Sequence, residues 1–97
     1  MSKVVVIVPN SSPEQQLAIT IHFKQKASWW HYAPDVWLLR FATDVVPMQL
    51  RDEVKQIVPG ANVMILKFVN ELDDWAGYGP PEWGDWFAKA WDTPTTS

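Results

Sequence analysis

The sequence predicts an α+β domain in which strands and helices follow the order β-α-β-β-α-β. Three features carry this prediction: an apolar run at 3–8, an aromatic stretch at 29–41 with a turn in its middle, and helix patterns on either side of that stretch. A final apolar run, 62–69, supplies the fourth strand. This order is typical of the ferredoxin-like fold, here followed by a Trp-rich C-terminal helical extension.

The first strand is predicted from Lys3 to Val8. Its interior is a continuous run of β-branched residues, which indicates cover on both faces and a central place in the sheet. Pro9 and Asn10 end the run.

The first helix is predicted to begin after Ser12, which can cap it, with Pro13 at the first helical position and Gln15 completing a capping box. It would extend to about Lys26. Its apolar stripe is Ile19, Phe23 and Ala27. The alternation of Leu17, Ile19, Ile21 and Phe23 with smaller or polar residues is a competing strand pattern. The helix is favoured because the capping pattern is specific. Leu17 and Ile21 lie outside its apolar stripe, so they would belong to a surface that contacts a partner.

The aromatic stretch 29–41 is predicted to be a β-hairpin with its turn at Pro34-Asp35. Because successive side chains alternate, Trp29 and His31 share one face of the first strand, and Trp30 and Tyr32 share the other. On the second strand the side chains that share a face are Trp37, Leu39 and Phe41. Neither strand has a face suited to water alone.

The second helix is predicted over 47–58, with Leu50, Val54 and Ile57 facing the core. Pro59-Gly60 ends it. In the last strand both alternating sets are apolar except at Lys67. The predicted helices cover one face of the sheet, so the other must be covered by a second copy of the chain or by its tail.

The 97 residues fit a single domain, with a core at 3–70, an aromatic acidic tail at 71–91 and a disordered end at 92–97. A helix beginning at Pro81 would carry an aromatic stripe in the tail. There is no cysteine, no signal peptide and no apolar run of membrane-spanning length, so a cytoplasmic protein is expected. Residues 1–70 carry a net charge of +2 and residues 71–97 carry −5, so we expect no binding of long nucleic acid.

Seven tryptophans either build a core of large rings or line a surface that binds a ligand or partner. A Trp-rich pocket with a few polar groups suits a planar ring. Arg40, Lys24, Lys26 and Lys67 could contact phosphates, and Arg40 is preferred because it lies mid-strand among apolar residues, where a charge needs a partner. The alternative for Arg40 is an ion pair with Asp35 or Glu53. The ligand-binding candidates are Trp29, Trp30, His31, Tyr32, Trp37, Arg40, Trp75 and Tyr78.

Catalytic chemistry finds little support in the sequence. No Gly-rich phosphate loop is present, and neither a cofactor nor a metal site is expected. Ser28, His31 and Asp35 could form a nucleophile set, but nothing in their spacing requires it. The sequence therefore predicts a binding module and not an enzyme.

The chain resembles the SinR-like family of small bacterial and viral proteins. The resemblance is carried by Trp29-Trp30-His31, by 36–39, by 74–78 and by 85–87, and it extends over about 3–91. These proteins look related in fold to the dimeric ferredoxin-like nuclease of CRISPR adaptation, so the resemblance implies this fold and dimerisation.

The chain departs from that family at the end of the first strand. Many members place Tyr-Asp there, where a paired Asp could hold a metal, and this chain has Pro9-Asn10. A metal-dependent nuclease needs carboxylates to bind its cation. Nuclease activity is therefore the least favoured of three hypotheses.

The first hypothesis is a non-catalytic protein that binds a small nucleotide-type ligand at the interface of a homodimer or higher oligomer. Such a protein could sequester an immune nucleotide signal, as some phage antagonists do, in the host cytoplasm if it is viral. The alternative is a protein–protein antagonist or adaptor that acts through the Trp-rich acidic tail.

Overall fold

The computed structural model describes residues 2–68, 81–86 and 89, with the backbone alone at Tyr32, Trp83 and Gly84. The protein is a small α+β structure with a four-stranded antiparallel sheet and two main helices. Its elements are β1 (Ser2–Ile7), α1 (Pro13–Lys24), β2 (Ser28–Ala33), β3 (Val36–Phe41), α2 (Pro47–Ile57), β4 (Met64–Phe68) and a short helix α3 (Pro81–Trp86).

The strands lie in the order β2-β3-β1-β4, so the predicted central position of the first strand is confirmed. Val4 lies opposite Leu39 of β3 and opposite Lys67 of β4. The predicted hairpin is also confirmed, and it places β2 at one edge of the sheet with β4 at the other.

The capping box of α1 forms as predicted. The Ser12 hydroxyl accepts a hydrogen bond from the Gln15 amide at 3.1 Å, and Gln15 Oε1 accepts one from the Ser12 amide at 2.8 Å. These bonds satisfy backbone donors that a helix start leaves open. The competing strand pattern is therefore wrong, and Leu17 and Ile21 are 60% and 44% exposed. The helix ends at Lys24, two residues before the predicted end.

The core lies between one face of the sheet and the helices α1 and α2. Its strand residues on that face come from β1 and β3, and Ile19, Phe23, Leu50 and Val54 pack on them from the helices. We call this sheet face the helix side and the opposite one the outer face. The buried apolar side chains that the strands place on the helix side are Val4, Val6, Trp37, Leu39 and Phe41.

The helix α2 begins at Pro47 and leads into a turn at Pro59-Gly60. Gly60 has φ 86°, a left-handed backbone conformation that residues with a side chain rarely adopt. No helix among 2–68 and 81–86 has the length and apolar character needed to cross a bilayer.

Candidate ligand-binding face

The outer face is a grid of side chains fixed by the strand register. One row crosses all four strands and holds Ser28, Arg40, Lys3 and Phe68, and we call it the cationic row. The next row, which we call the indole row, holds Trp30, Leu38, Val5 and Leu66. The three strands β1, β3 and β4 add Ile7, Val36 and Met64 beyond it.

Burial on the outer face differs sharply between its edge and its centre. On β4 the side chains of Met64, Leu66 and Phe68 are 56%, 47% and 46% exposed. Lys3, directly beside Phe68, is only 8% exposed. The Nε atom of Arg40 and the Nε1 atom of Trp30 are also buried. The centre of the face is therefore apolar and sheltered, and it contains two neighbouring cations.

Sequence reasoning missed Lys3 as a candidate site residue. The sequence pattern marks it as the first residue of an apolar strand, and alternation places it on the same face as Val5 and Ile7. Alternation does not show which residue of the adjacent strand lies beside Lys3. The register of β1 against β3 places Lys3 opposite Arg40, which is distant in sequence.

The predicted site residues do not form one cluster, because those with described side chains divide between the two faces. Trp30 and Arg40 lie on the outer face, and Trp29, His31 and Trp37 lie on the helix side. The side chain of Tyr32 and both Trp75 and Tyr78 lie outside the described residues.

Trp37 is fully buried and belongs to the core. Its Nε1 donates a hydrogen bond to Thr20 Oγ1 at 3.0 Å, and the His31 ring stacks on it with centroids 4.1 Å apart and planes 2° from parallel. His31 Nδ1 lies 2.9 Å from the Val36 carbonyl oxygen. Of these two indoles on the helix side, only that of Trp29 is accessible, since Trp29 is 39% exposed.

The sequence candidates Ser28, His31 and Asp35 do not assemble into a nucleophile set. Asp35 lies in the turn after β2, whereas Ser28 begins that strand at its opposite end. The Asp35 carboxylate instead accepts hydrogen bonds from the Ser11 hydroxyl at 2.8 Å and the Ser11 amide at 3.2 Å. The hydroxyl bond is the main cause that lowers the pKa of Asp35. Asp35 therefore anchors the loop after β1 to the hairpin.

Glu53 links the two helices. Its Oε1 atom lies 2.8 Å from His22 Nε2 and 2.8 Å from Lys26 Nζ, both contributed by α1 or the residues just after it. Burial favours a higher pKa for Glu53, but the hydrogen bonds from Lys26 and His22 outweigh it, and the net pKa is lowered. Asp35 and Glu53 are the two carboxylates that the sequence offers as partners of Arg40. Both accept hydrogen bonds from other residues, Asp35 from Ser11 and Glu53 from Lys26.

A cleft of about 270 Å³ lies beside this cluster, between the end of α1 and the start of α2. Phe41 and Leu50 contribute apolar atoms to it, and its charged lining includes the Lys26–Glu53 pair. Because Lys26 and Glu53 already satisfy each other, an anionic ligand in the cleft would have to compete with Glu53 for Lys26. Within 2–68 and 81–86, no three His, Asp or Glu side chains converge to hold a metal ion.

Comparisons with known proteins leave the family open. The scan against protein-family models gave no match, and the search of curated proteins gave none either.

Proposed function

We propose that the chain is a non-catalytic binding protein for a small nucleotide-type ligand that lies on the outer face. The observation that carries the proposal is the pairing of Lys3 with Arg40 across β1 and β3. Residues opposite each other on antiparallel strands have Cα atoms about 4.5–5.5 Å apart. A phosphate on this face can accept hydrogen bonds from both cationic side chains, and such charge-assisted bonds contribute to its binding free energy.

Trp30 supplies the second half of the proposed site. It pairs with Leu38, two residues from Arg40 along β3, so it lies diagonally from Arg40 at about 7–8 Å. A nucleotide can span this separation with its phosphate at the cationic row and its base on the indole. Stacking of a base on an aromatic ring contributes about 1–3 kcal/mol.

The remaining outer-face residues favour a small ligand over a long nucleic acid. The central strands carry the aliphatic side chains Val5, Ile7 and Leu38 there, so a chain of bases would find no succession of aromatic rings. The net charge of −3 also opposes attraction to a polyanion.

We also propose that the fold is ferredoxin-like. The element order β-α-β-β-α-β and the strand order β2-β3-β1-β4 support a ferredoxin-like arrangement. Together with the resemblance to SinR-like proteins, this arrangement fits a cytoplasmic antagonist of the phage type that sequesters an immune nucleotide signal. The apolar side chains exposed on β4 support a homodimer.

A protein–protein antagonist acting through the acidic Trp-rich tail is the second candidate. The exposed apolar side chains Leu17 and Ile21 of α1 and Trp29 of β2 favour a protein contact, because aromatic and aliphatic anchors dominate such interfaces. Binding of a protein partner would not require Lys3 or Arg40. Substitutions in the cationic row should therefore weaken nucleotide binding and leave binding of a protein partner unchanged.

Titration calorimetry with cyclic and ADP-ribose-type nucleotides tests the first candidate, with the matching nucleosides as the phosphate-free control. We expect heat with at least one nucleotide and none with its nucleoside. Lys3→Gln and Arg40→Gln should each weaken binding by about tenfold or more, equivalent to about 1.4 kcal/mol. Lys24→Gln, a change at an exposed lysine of α1, should leave the affinity unchanged. Absence of heat and of thermal stabilisation with the whole panel would overturn the proposal.

A further inference from the structure

We infer that α1 pairs with α1 of a second copy of the chain in antiparallel orientation, so that Glu14 of each copy lies opposite the partner's Lys24. The contact involves the solvent side of α1 and none of the outer-face residues. It is therefore independent of the proposed nucleotide site.

Four exposed side chains lie along one side of α1, and we call them the α1 seam: Glu14, Leu17, Ile21 and Lys24. Their spacing of three, four and three residues places them in one line on the helix surface. Leu17 and Ile21 are 60% and 44% exposed, whereas Ile19 and Phe23 are fully buried in the core. A helix with a single contact needs one apolar side, so the second apolar side of α1 indicates a further contact.

The other sides of α1 already contact its own molecule. Thr20 Oγ1 accepts a hydrogen bond from the Trp37 indole of β3, and His22 Nε2 lies 2.8 Å from Glu53 Oε1 of α2. At about 100° per residue, the middle of the α1 seam lies about 120° around the helix from His22. The seam therefore faces solvent on the side away from α2. Because α1 packs on β2 and α2 packs on β4 at the opposite edge of the sheet, pairing through the seam leaves β4 accessible.

The charges of the α1 seam specify both the partner and its orientation. Glu14 is at the N-terminal end and Lys24 at the C-terminal end, with the two aliphatic side chains between them. When two such helices pack antiparallel about a two-fold axis, each Glu14 lies opposite the partner's Lys24, and each Leu17 lies opposite the partner's Ile21. A parallel pair would place like charges opposite each other, which is unfavourable. The seam is thus complementary to itself, and this property favours a second copy as its partner.

The α1 seam is short, so the contact should be weak. Lys24 follows Glu14 by ten residues, which is about 15 Å of helix. Two aliphatic side chains per copy bury far less than the roughly 800 Å² per partner of a standard interface. We expect a dissociation constant on the order of 1 mM for pairing through α1.

Translational diffusion measured by NMR up to millimolar concentration tests the pairing. The measurement uses the full chain with Leu66→Lys, because this change interrupts the exposed apolar row of β4, which could form a competing contact. We expect diffusion of this parent chain to slow with concentration as dimers form, and the addition of Leu17→Lys should abolish the slowing. A parent chain that stays monomeric would overturn the inference, and so would slowing that Leu17→Lys leaves unchanged.

Charge reversal then tests the orientation. In the parent chain, Glu14→Lys places lysines opposite each other and Lys24→Glu places glutamates opposite each other, so each change should weaken pairing by about tenfold. An equimolar mixture of these two variants restores opposite charges at both ends of the seam, and it should pair as tightly as the parent. If the mixture pairs no better than either variant alone, the antiparallel arrangement is wrong and the inference fails.

Matched controls separate the α1 seam from the overall charge of the chain. Asp52→Lys and Lys55→Glu, at exposed positions of α2, change the net charge by the same amounts. Each control should pair like the parent, because neither residue belongs to the seam. Weakening by the controls as strong as that by the α1 variants would show that overall charge governs association, and it would overturn the inference. None of these measurements involves a nucleotide, so the calorimetry can fail while this inference holds.

Discussion

The imidazole of His31 lies flat on the indole of Trp37, with ring centroids 4.1 Å apart and planes 2° from parallel. The stack joins the edge strand β2 to β3 at the point where their register shifts. His31 Nδ1 adds a 2.9 Å contact to the Val36 carbonyl oxygen. A histidine that the sequence made a candidate ligand contact thus holds the edge strand to the core.

Replacement of His31 with alanine should destabilise the fold by about 2 kcal/mol. The stack contributes about 0.5–1.5 kcal/mol beyond its buried area, and a hydrogen bond contributes about 1 kcal/mol. Urea unfolding followed by far-UV circular dichroism measures the change. His31→Phe keeps a ring on Trp37 and removes the polar contact, so it should cost about half as much. A His31→Ala protein as stable as the wild type would show that the stack contributes nothing.

The Glu53 cluster predicts a loss of stability in acid. The pKa of Glu53 is lowered in the folded protein, so its contribution is fully present above the unfolded value of about 4.3 and is lost as the pH falls through the folded value. Glu53→Gln should cost about 0.5–1 kcal/mol at pH 7, because its ion pairs are partly exposed. The difference between the two proteins should shrink steadily below about pH 4.

Urea unfolding at a series of pH values from 7 to 3 measures that difference. Asp52→Asn serves as the control, since it removes an exposed carboxylate of the same helix that pairs with its neighbour Arg51. We expect this control to lack the pH-dependent convergence. A constant gap between the wild type and Glu53→Gln over the whole range would contradict the assignment.

Local chemistry made much of the fold predictable. Ser12 and Gln15 satisfy each other's backbone amides within one helical turn, so the start of α1 is encoded in four residues. The hairpin turn is local in the same sense. The central position of β1 followed from an apolar run that needs cover on both faces.

The site was harder to predict because it depends on contacts between distant residues. Alternation separates Trp29 from Trp30, but which of them meets the helices depends on how β2 pairs with β3 and on where α1 lies. Trp37 and Arg40 are three residues apart and lie on opposite faces. The Lys3–Arg40 pair exists only through the register of β1 against β3, which no short stretch of sequence specifies.

The exposed edge of the outer face predicts self-association. Met64, Leu66 and Phe68 leave about half of each side chain in contact with solvent on an edge strand, and such apolar rows are typical of interfaces. We expect the wild type to sediment as a dimer whose fraction rises with concentration, and Leu66→Lys to shift it towards the monomer. Leu17→Lys is the matched control, because Leu17 is exposed on α1 and should not affect a dimer formed through β4. If the control alone dissociates the dimer, the interface lies on α1 and the assignment to β4 is wrong.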